Sequence, residues 1–156
     1  MSDIDLIHRW LKAFQSSDYD TMATCYHPDA TFTDIAFVLQ GQKQIHAMWH
    51  MICENGIEVE LRESPRASGE TVTTKIIDTY KLSNTGRQVK NPVLCTFRFR
   101  EGKIIEQRDE CDPIAWAAQA FGGIKGWFVG RIGLLRRIAA RKKIEAFIQQ
   151  HPQYAE

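Results

Sequence analysis

The sequence predicts an α+β domain in which a strongly bent, mostly antiparallel sheet wraps around N-terminal helices, followed by a basic helical extension. Three observations predict it. Apolar residues recur at helical spacing early in the chain, the period shifts to two across the middle, and the strands there are joined by short turns instead of crossover helices.

Ile4, Ile7, Leu11 and Phe14 recur three or four apart, which predicts a helix over 3–16 with Ser2 or Asp3 as its cap. Ser17-Asp18 starts a short second helix over 19–26, and Pro28 forces the chain out of helical register before it. Residues 30–34 read as a strand. A third helix over 43–55 carries Ile45, Met48, Trp49 and Ile52 on one face and stops at Gly56. From Ile57 the pattern alternates, with Val59 and Leu61 against Glu58, Glu60 and Arg62, until Pro65 interrupts it. The strand over 71–82 places Val72, Thr74, Ile76, Asp78, Tyr80 and Leu82 on one side, so Asp78 stands on an otherwise apolar face. A turn at Ser83–Gly86 leads into a strand over 87–100, and Glu101-Gly102-Lys103 turns into the last strand, 104–111. Asp112-Pro113 then supplies a cap and a first-turn proline for a helix through Phe121. Residues 1–121 form the main unit. Residues 122–156 pack on the same domain as a glycine-punctuated loop or lid around Trp127 and Phe128, followed by a helix over about 134–149.

The composition is that of a soluble globular chain, and 156 residues are enough to bury a core without staples. Cys25, Cys53, Cys95 and Cys111 are widely spaced with no C-x-x-C pair, so free buried thiols are expected. The acidic start MSDIDLIHRW is unlike a signal peptide, and no apolar run approaches the length of a membrane span; a cytoplasmic location is the expectation. Charge is uneven: residues 1–120 carry 13 Lys/Arg against 17 Asp/Glu, and residues 121–156 carry 7 against 2. Docking of the basic tail on the acidic body is the expected outcome. Its cations are scattered around the helix, a poor pattern for membrane association, which stays the alternative; nucleic acid is not expected as a partner.

The chemistry-bearing candidates are Asp34, Asp78 and Asp112. A carboxyl in an apolar pocket has a raised pKa, and acids that share a pocket repel, so one stays protonated as donor while another acts as base. Each has a structural alternative: Asp34 as a turn cap, Asp78 paired with a cation at a mouth, Asp112 as a helix cap. Trp10, Phe14, Phe32, Trp49, Tyr80, Phe97 and Trp116 are candidates for a substrate wall, with plain core as the alternative. His46 and His50 have the four-residue spacing of a metal pair, but no third ligand stands out and no metal site is assigned. No phosphate loop, dinucleotide fingerprint or Ser-His-Asp arrangement is present, so no cofactor is expected.

Several short motifs, taken in order, resemble the nuclear transport factor 2-like superfamily, in particular its SnoaL-like, limonene epoxide hydrolase-like and ketosteroid isomerase-like branches. They are Arg9–Phe14 in the first helix, His27–Asp34 after the second, Gly41, Thr96–Ile104 across the last hairpin, and Arg108–Asp112. The resemblance implies a cone with a pocket at its open end, a homodimer formed through the outer sheet face, and a small apolar substrate or ligand. Asp34 falls at the proton-shuttling aspartate of the isomerase branch, whose two oxyanion-donor positions hold Trp10 and Cys95 here. Asp78 and Asp112 fall at the two aspartates of the epoxide hydrolase branch, whose arginine position holds Ile76 and whose water-holding positions hold Phe32 and Asp34. SnoaL-like cyclases place an acid/base aspartate near Asp112. The implied function is a metal-independent isomerase, cyclase or hydrolase that uses pocket aspartates for proton transfer, with a non-catalytic ligand-binding or dimerisation module as the alternative.

Overall fold

Ser2 and Asp5 cap each other reciprocally at the start of the chain. In the computed structural model, which describes residues 1–156, Ser2 Oγ accepts the Asp5 N–H and the Asp5 carboxylate accepts the Ser2 N–H, each at 3.1 Å. Two amides that a helix start leaves free are thereby satisfied, and helix α1 (Asp3–Gln15) follows with Leu6, Ile7, Trp10, Leu11 and Phe14 buried. Asp18 caps α2 (Tyr19–Thr24) by accepting the Thr21 N–H at 2.9 Å. Strand β1 (Tyr26–Thr33) begins earlier than the sequence suggests, because Pro28 is absorbed in an irregular stretch between Tyr26 and Thr31. A three-residue strand, β2 (Val38–Gln40), is too short to show a period; it pairs with β1 and leads through Gly41, at φ 92, into α3 (Gln42–Glu54).

Four strands complete an open, mixed six-stranded sheet: β3 (Glu58–Ser68), β4 (Thr71–Lys81), β5 (Gln88–Arg100) and β6 (Lys103–Glu110). The order is β2-β1-β6-β5-β4-β3, antiparallel throughout except for the β1–β6 pair. This is the curved α+β architecture expected of the cone. Pro65 does not end β3, which runs on to Ser68. The strand lies at the sheet edge, where a missing N–H is tolerated, and its register slips on either side of Glu63. Pro92 sits where β5 extends beyond its last pair with β6.

The inner face of the sheet closes on α1 and α3 through an aromatic cluster. Trp10 lies 5.3 Å from Phe14, 5.2 Å from Phe97 and 5.7 Å from Trp49, centroid to centroid. At its centre, Tyr26 Oη accepts the Nε1–H groups of both Trp10 and Trp49 at 3.0 Å and donates to Gln107 Oε1. All four side chains are buried, and an indole N–H left without a partner there costs about 1–3 kcal/mol.

The C-terminal segment differs from its reading as a loop. Residues 122–133 contain helix α5 (Gly123–Arg131), set between α4 (Pro113–Phe121) and α6 (Gly133–Gln150). Its glycines are packing residues. A Cβ on Gly126 would stand 2.8 Å from the Ala117 carbonyl oxygen, and one on Gly130 would stand 3.0 Å from Ile114 Cα, so only glycine lets α5 lie this close to α4. Helix α6 joins the core through Ile144 and Phe147, with Tyr154 in the final 3-10 turn. Its cations do not find the acidic side chains expected of them. Arg136 donates to the carbonyls of Ile35, Val129 and Gly130 at 2.8–3.0 Å, and Arg137 to those of Asp34 and Phe37 at 3.4 Å; the ion pair of this helix is internal, Arg141 to Glu145.

Tyr26→Phe is expected to lower unfolding stability by about 2–4 kcal/mol, because two indoles and one amide lose their partner together. Urea denaturation measures it, and a loss below about 1 kcal/mol would show that water or rearrangement replaces the hydroxyl.

Candidate active site

Strand register determines which side chains reach the hollow. Cα partners run Phe32–Gln107–Phe97–Val72 across β1, β6, β5 and β4, and all four are buried. One rung further come Asp109, Cys95 and Thr74, then Val93 and Ile76, then Asn91 and Asp78. The rung of Phe32 and Phe97 is sealed by the aromatic cluster. Beyond it the cone stays open as a cavity of about 390 Å³ between the sheet, α3 and the three C-terminal helices. Asp34, Asp78 and Asp109 all line it.

Asp109 reaches the interior through a bulge. Arg98 pairs with Glu106 but Phe99 pairs with Ile104, so Ile105 is an extra residue in β6 and shifts the alternation. Strict alternation from Ile104 would point Glu106, Arg108 and Glu110 inward; the bulge places Gln107 and Asp109 there instead. The buried Gln107 then donates from Nε2 to Asp109 Oδ1 at 2.9 Å, which links the site to the Tyr26 hydroxyl.

The three carboxyls have different surroundings. Asp34 follows β1, and its Oδ1 accepts the N–H groups of Ala36 at 2.7 Å and Phe37 at 2.6 Å. Burial raises its pKa, while these two N–H bonds and then Arg137 and Arg136 pull it back down. Asp78 has no such support: its Oδ1 is buried without any hydrogen-bond partner. Burial holds it well above the ordinary carboxylate range, and the charges of Asp109 and Asp34 add to that. An ionised carboxylate with an orphaned oxygen is disfavoured in an apolar wall, so Asp78 keeps its proton to higher pH than an ordinary aspartate. Asp109 is pushed up to about 7 by burial, with the Gln107 hydrogen bond opposing and Asp34 reinforcing the shift. None of the three makes a salt bridge. The pocket therefore holds one carboxyl kept well above the ordinary range, a second pushed up to about 7, and a third anchored by backbone amides.

The remaining candidates divide by depth in the cone. Phe32, Trp49, Tyr80 and Trp116 stand at the cavity wall, and Trp116 Nε1 donates to Tyr80 Oη at 2.7 Å. Trp10, Phe14 and Phe97 do not reach it; all three are fully buried, Phe97 within the sealed rung and Trp10 and Phe14 in the cluster that seals it. Asp112 also stands apart. It is exposed, and its Oδ1 accepts the Ile114 and Ala115 N–H groups at 2.9 and 3.1 Å as the cap of α4. Burial raises the thiols of Cys95 and Cys111, so neither is a thiolate nucleophile at neutral pH.

The sequence reading missed Asp109 and the part played by the C-terminal helices. Lys125, Val129, Leu135, Arg136 and Lys143 all line the cavity. Away from it, His46 bonds Asp20 at 2.8 Å, and His50 meets a third group that only folding supplies. His50, Glu54 and His151 bring one potential ligand atom each within 4.8 Å of the others. Both rings of that trio are already engaged, His50 Nδ1 with Tyr154 Oη at 2.8 Å and His151 Nδ1 with the Phe147 carbonyl at 2.9 Å, which fastens the C terminus to α3.

Comparison with solved structures gives the same fold. An M. tuberculosis LEH-like epoxide hydrolase is similar at 22% identity, with a TM-score of 0.60 over 90% of this chain and 94% of that one. A protein of ketosteroid isomerase-like fold from Catenulispora acidiphila, in complex with trimethylamine, is similar at 18% identity, with a TM-score of 0.64 over 74% and 91%. An NTF2-like protein from Cytophaga hutchinsonii is similar at 12% identity, with a TM-score of 0.58 over 72% and 92%. No curated protein matches the sequence. A family model for the SnoaL-like domain matches residues 7–107, from α1 to the interior of β6. That span carries the sealed rung, Asp34 and Asp78, and the chain belongs to the SnoaL-like domain family.

Proposed function

We propose that the cavity is an active site in which Asp78 as acid and Asp109 as base add water across the epoxide of a small, largely apolar molecule. The observation that carries this reading is a pair of carboxyls in one cavity with unequal support, Asp78 with a buried oxygen that no hydrogen bond reaches and Asp109 held by the Gln107 amide. Asp109 takes a proton from water as the water oxygen bonds to a ring carbon. The carbon–oxygen bond of the ring breaks, and its oxygen receives the proton of Asp78. The product is a vicinal diol; Asp109 ends protonated and Asp78 ionised, and one proton passed between them restores the start. Low polarity strengthens both transfers, because the developing charges face no competing solvent. Asp34, with one oxygen held by Ala36 and Phe37, keeps its other oxygen free to orient the water. The LEH-like epoxide hydrolase among the similar folds is in keeping with this chemistry.

A cavity of about 390 Å³ suits a small ligand, and Phe32, Trp49, Val93 and Trp116 supply an apolar wall for it. We also propose a homodimer through the outward face of β4, β5 and β6. There Arg98 approaches Glu106 at 3.9 Å and, in the turn between β3 and β4, Glu70 at 3.5 Å, charges of both signs able to meet their own copy. Sedimentation of a monomer at micromolar concentration would contradict it.

Asp78→Asn and Asp109→Asn are each expected to lower kcat on an epoxide panel by roughly 10²–10⁴-fold with the fold intact. Turnover of ketones alone, or full activity in either variant, contradicts the hydrolytic reading. In the unmodified chain kcat/KM should rise through about pH 7 as Asp109 ionises, then fall at higher pH as Asp78 loses its proton.

Stability should follow the same groups. The folded state binds more protons than the unfolded chain wherever the pH lies between the ordinary carboxylate value and the raised one, so stability declines as pH rises from about 4 to about 7. Asp109→Asn is therefore expected to be more stable than the parent by ~1–3 kcal/mol above that window and no more stable below it. Thermal unfolding at pH 4 and pH 8 measures the difference; a parent equally stable at both would show that Asp109 titrates normally.

A further inference from the structure

We propose that α5 and the first half of α6 seat the protein on an anionic lipid bilayer, with the mouth of the cavity beside the contact. Ile124 is 77% exposed, Leu134 67%, Trp127 52%, Phe128 and Ile138 45%, and Ile132 40%, all within fifteen residues of chain. So many large apolar side chains left exposed on two successive helices mark a contact surface. The glycine packing of α5 produces it. Gly126 and Gly130 are spent against α4, and Ile124, Trp127 and Phe128 of α5 stand exposed.

Charge identifies the occupant. No Asp or Glu occurs between Asp112 and Glu145, while seven lysines and arginines do. Lys125, Arg131, Arg137, Arg141 and Lys142 are exposed, and among them only Arg141 has a carboxylate partner, Glu145. A second copy of this chain would bring like charges face to face. Nucleic acid would satisfy the cations but leave Ile124, Ile132, Leu134 and Ile138 against phosphate. An anionic bilayer accepts both: aliphatic side chains enter the acyl boundary, Trp127 takes the interfacial level with Arg131 stacked on it at 4.8 Å, and the cations meet the headgroups. No helix is long and apolar enough to cross a membrane, so the contact is interfacial. Lys125, Val129, Leu135 and Arg136 belong both to this segment and to the cavity lining, which gives an apolar ligand a path from lipid to pocket.

The proposal does not depend on the carboxyl chemistry, because its readout is binding. Flotation of the full chain with vesicles of phosphatidylcholine, alone and mixed with phosphatidylglycerol, decides it. The protein is expected to float with the mixed vesicles at low salt, to be released at high salt, and to stay behind with the neutral ones. Ile124→Glu combined with Trp127→Glu, and separately Arg131→Glu combined with Lys142→Glu, are each expected to cut the bound fraction roughly tenfold. Circular dichroism should be unchanged in both, since all four side chains are exposed. Failure to float at low salt overturns the proposal, as does equal flotation with neutral vesicles. Salt-sensitive binding to an oligonucleotide without flotation reassigns the cations and also overturns it. So does a dimer that dissociates in the Ile124/Trp127 variant while neither form floats.

Discussion

Tyr26 Oη receives the indole N–H groups of Trp10 and Trp49 and gives its own proton to Gln107, so that α1, α3 and the sheet meet at one buried atom. Gln107 is fixed from one side by that bond and spends its amide N–H on Asp109. The same contact that locks the narrow end of the cone therefore orients a carboxyl at the open end. A side chain in this position cannot relax independently of the core, so the core fixes where the Asp109 carboxyl stands in the cavity.

The open end is organised by a different device. The turn over 34–37 presents amides to the Asp34 carboxylate and carbonyls to Arg136 and Arg137 of α6. One short stretch of backbone thus holds both a pocket carboxyl and the cover over the pocket. Burial raises all three acids; the amides at Asp34 and the amide of Gln107 at Asp109 oppose it, and Asp78, which has neither, is held well above the ordinary carboxylate range. The difference among the three follows from where hydrogen bonds are supplied, not from residue type.

How much of this was legible in the sequence depends on whether a feature is local. Strands β4 and β5, the helices α1 and α3, and the inward position of Asp78 follow from period, and residues 71–81 pair with β5 without a break. Asp109 could not be placed this way. A single inserted residue at Ile105 reverses the alternation, and a bulge leaves no mark in composition. Helix α5 was obscured for the opposite reason: Gly126 and Gly130 look like loop punctuation, although the partner that requires them, α4, is adjacent in the fold. Trp10 and Phe97 resemble Phe32 and Trp49 in sequence, and only the position of the sealed rung separates core from wall. His151 lies a hundred residues from His50, beyond the reach of any spacing argument.

The ionisation of Asp78 and Asp109 is most directly read by carboxyl carbon NMR of the selectively labelled chain across pH. Asp109 is expected to titrate near pH 7 and Asp78 to remain protonated through neutral pH, each signal being assigned by its Asn variant. Both carboxyls titrating near the ordinary value for aspartate would show that water reaches them freely, and the division into acid and base would not stand.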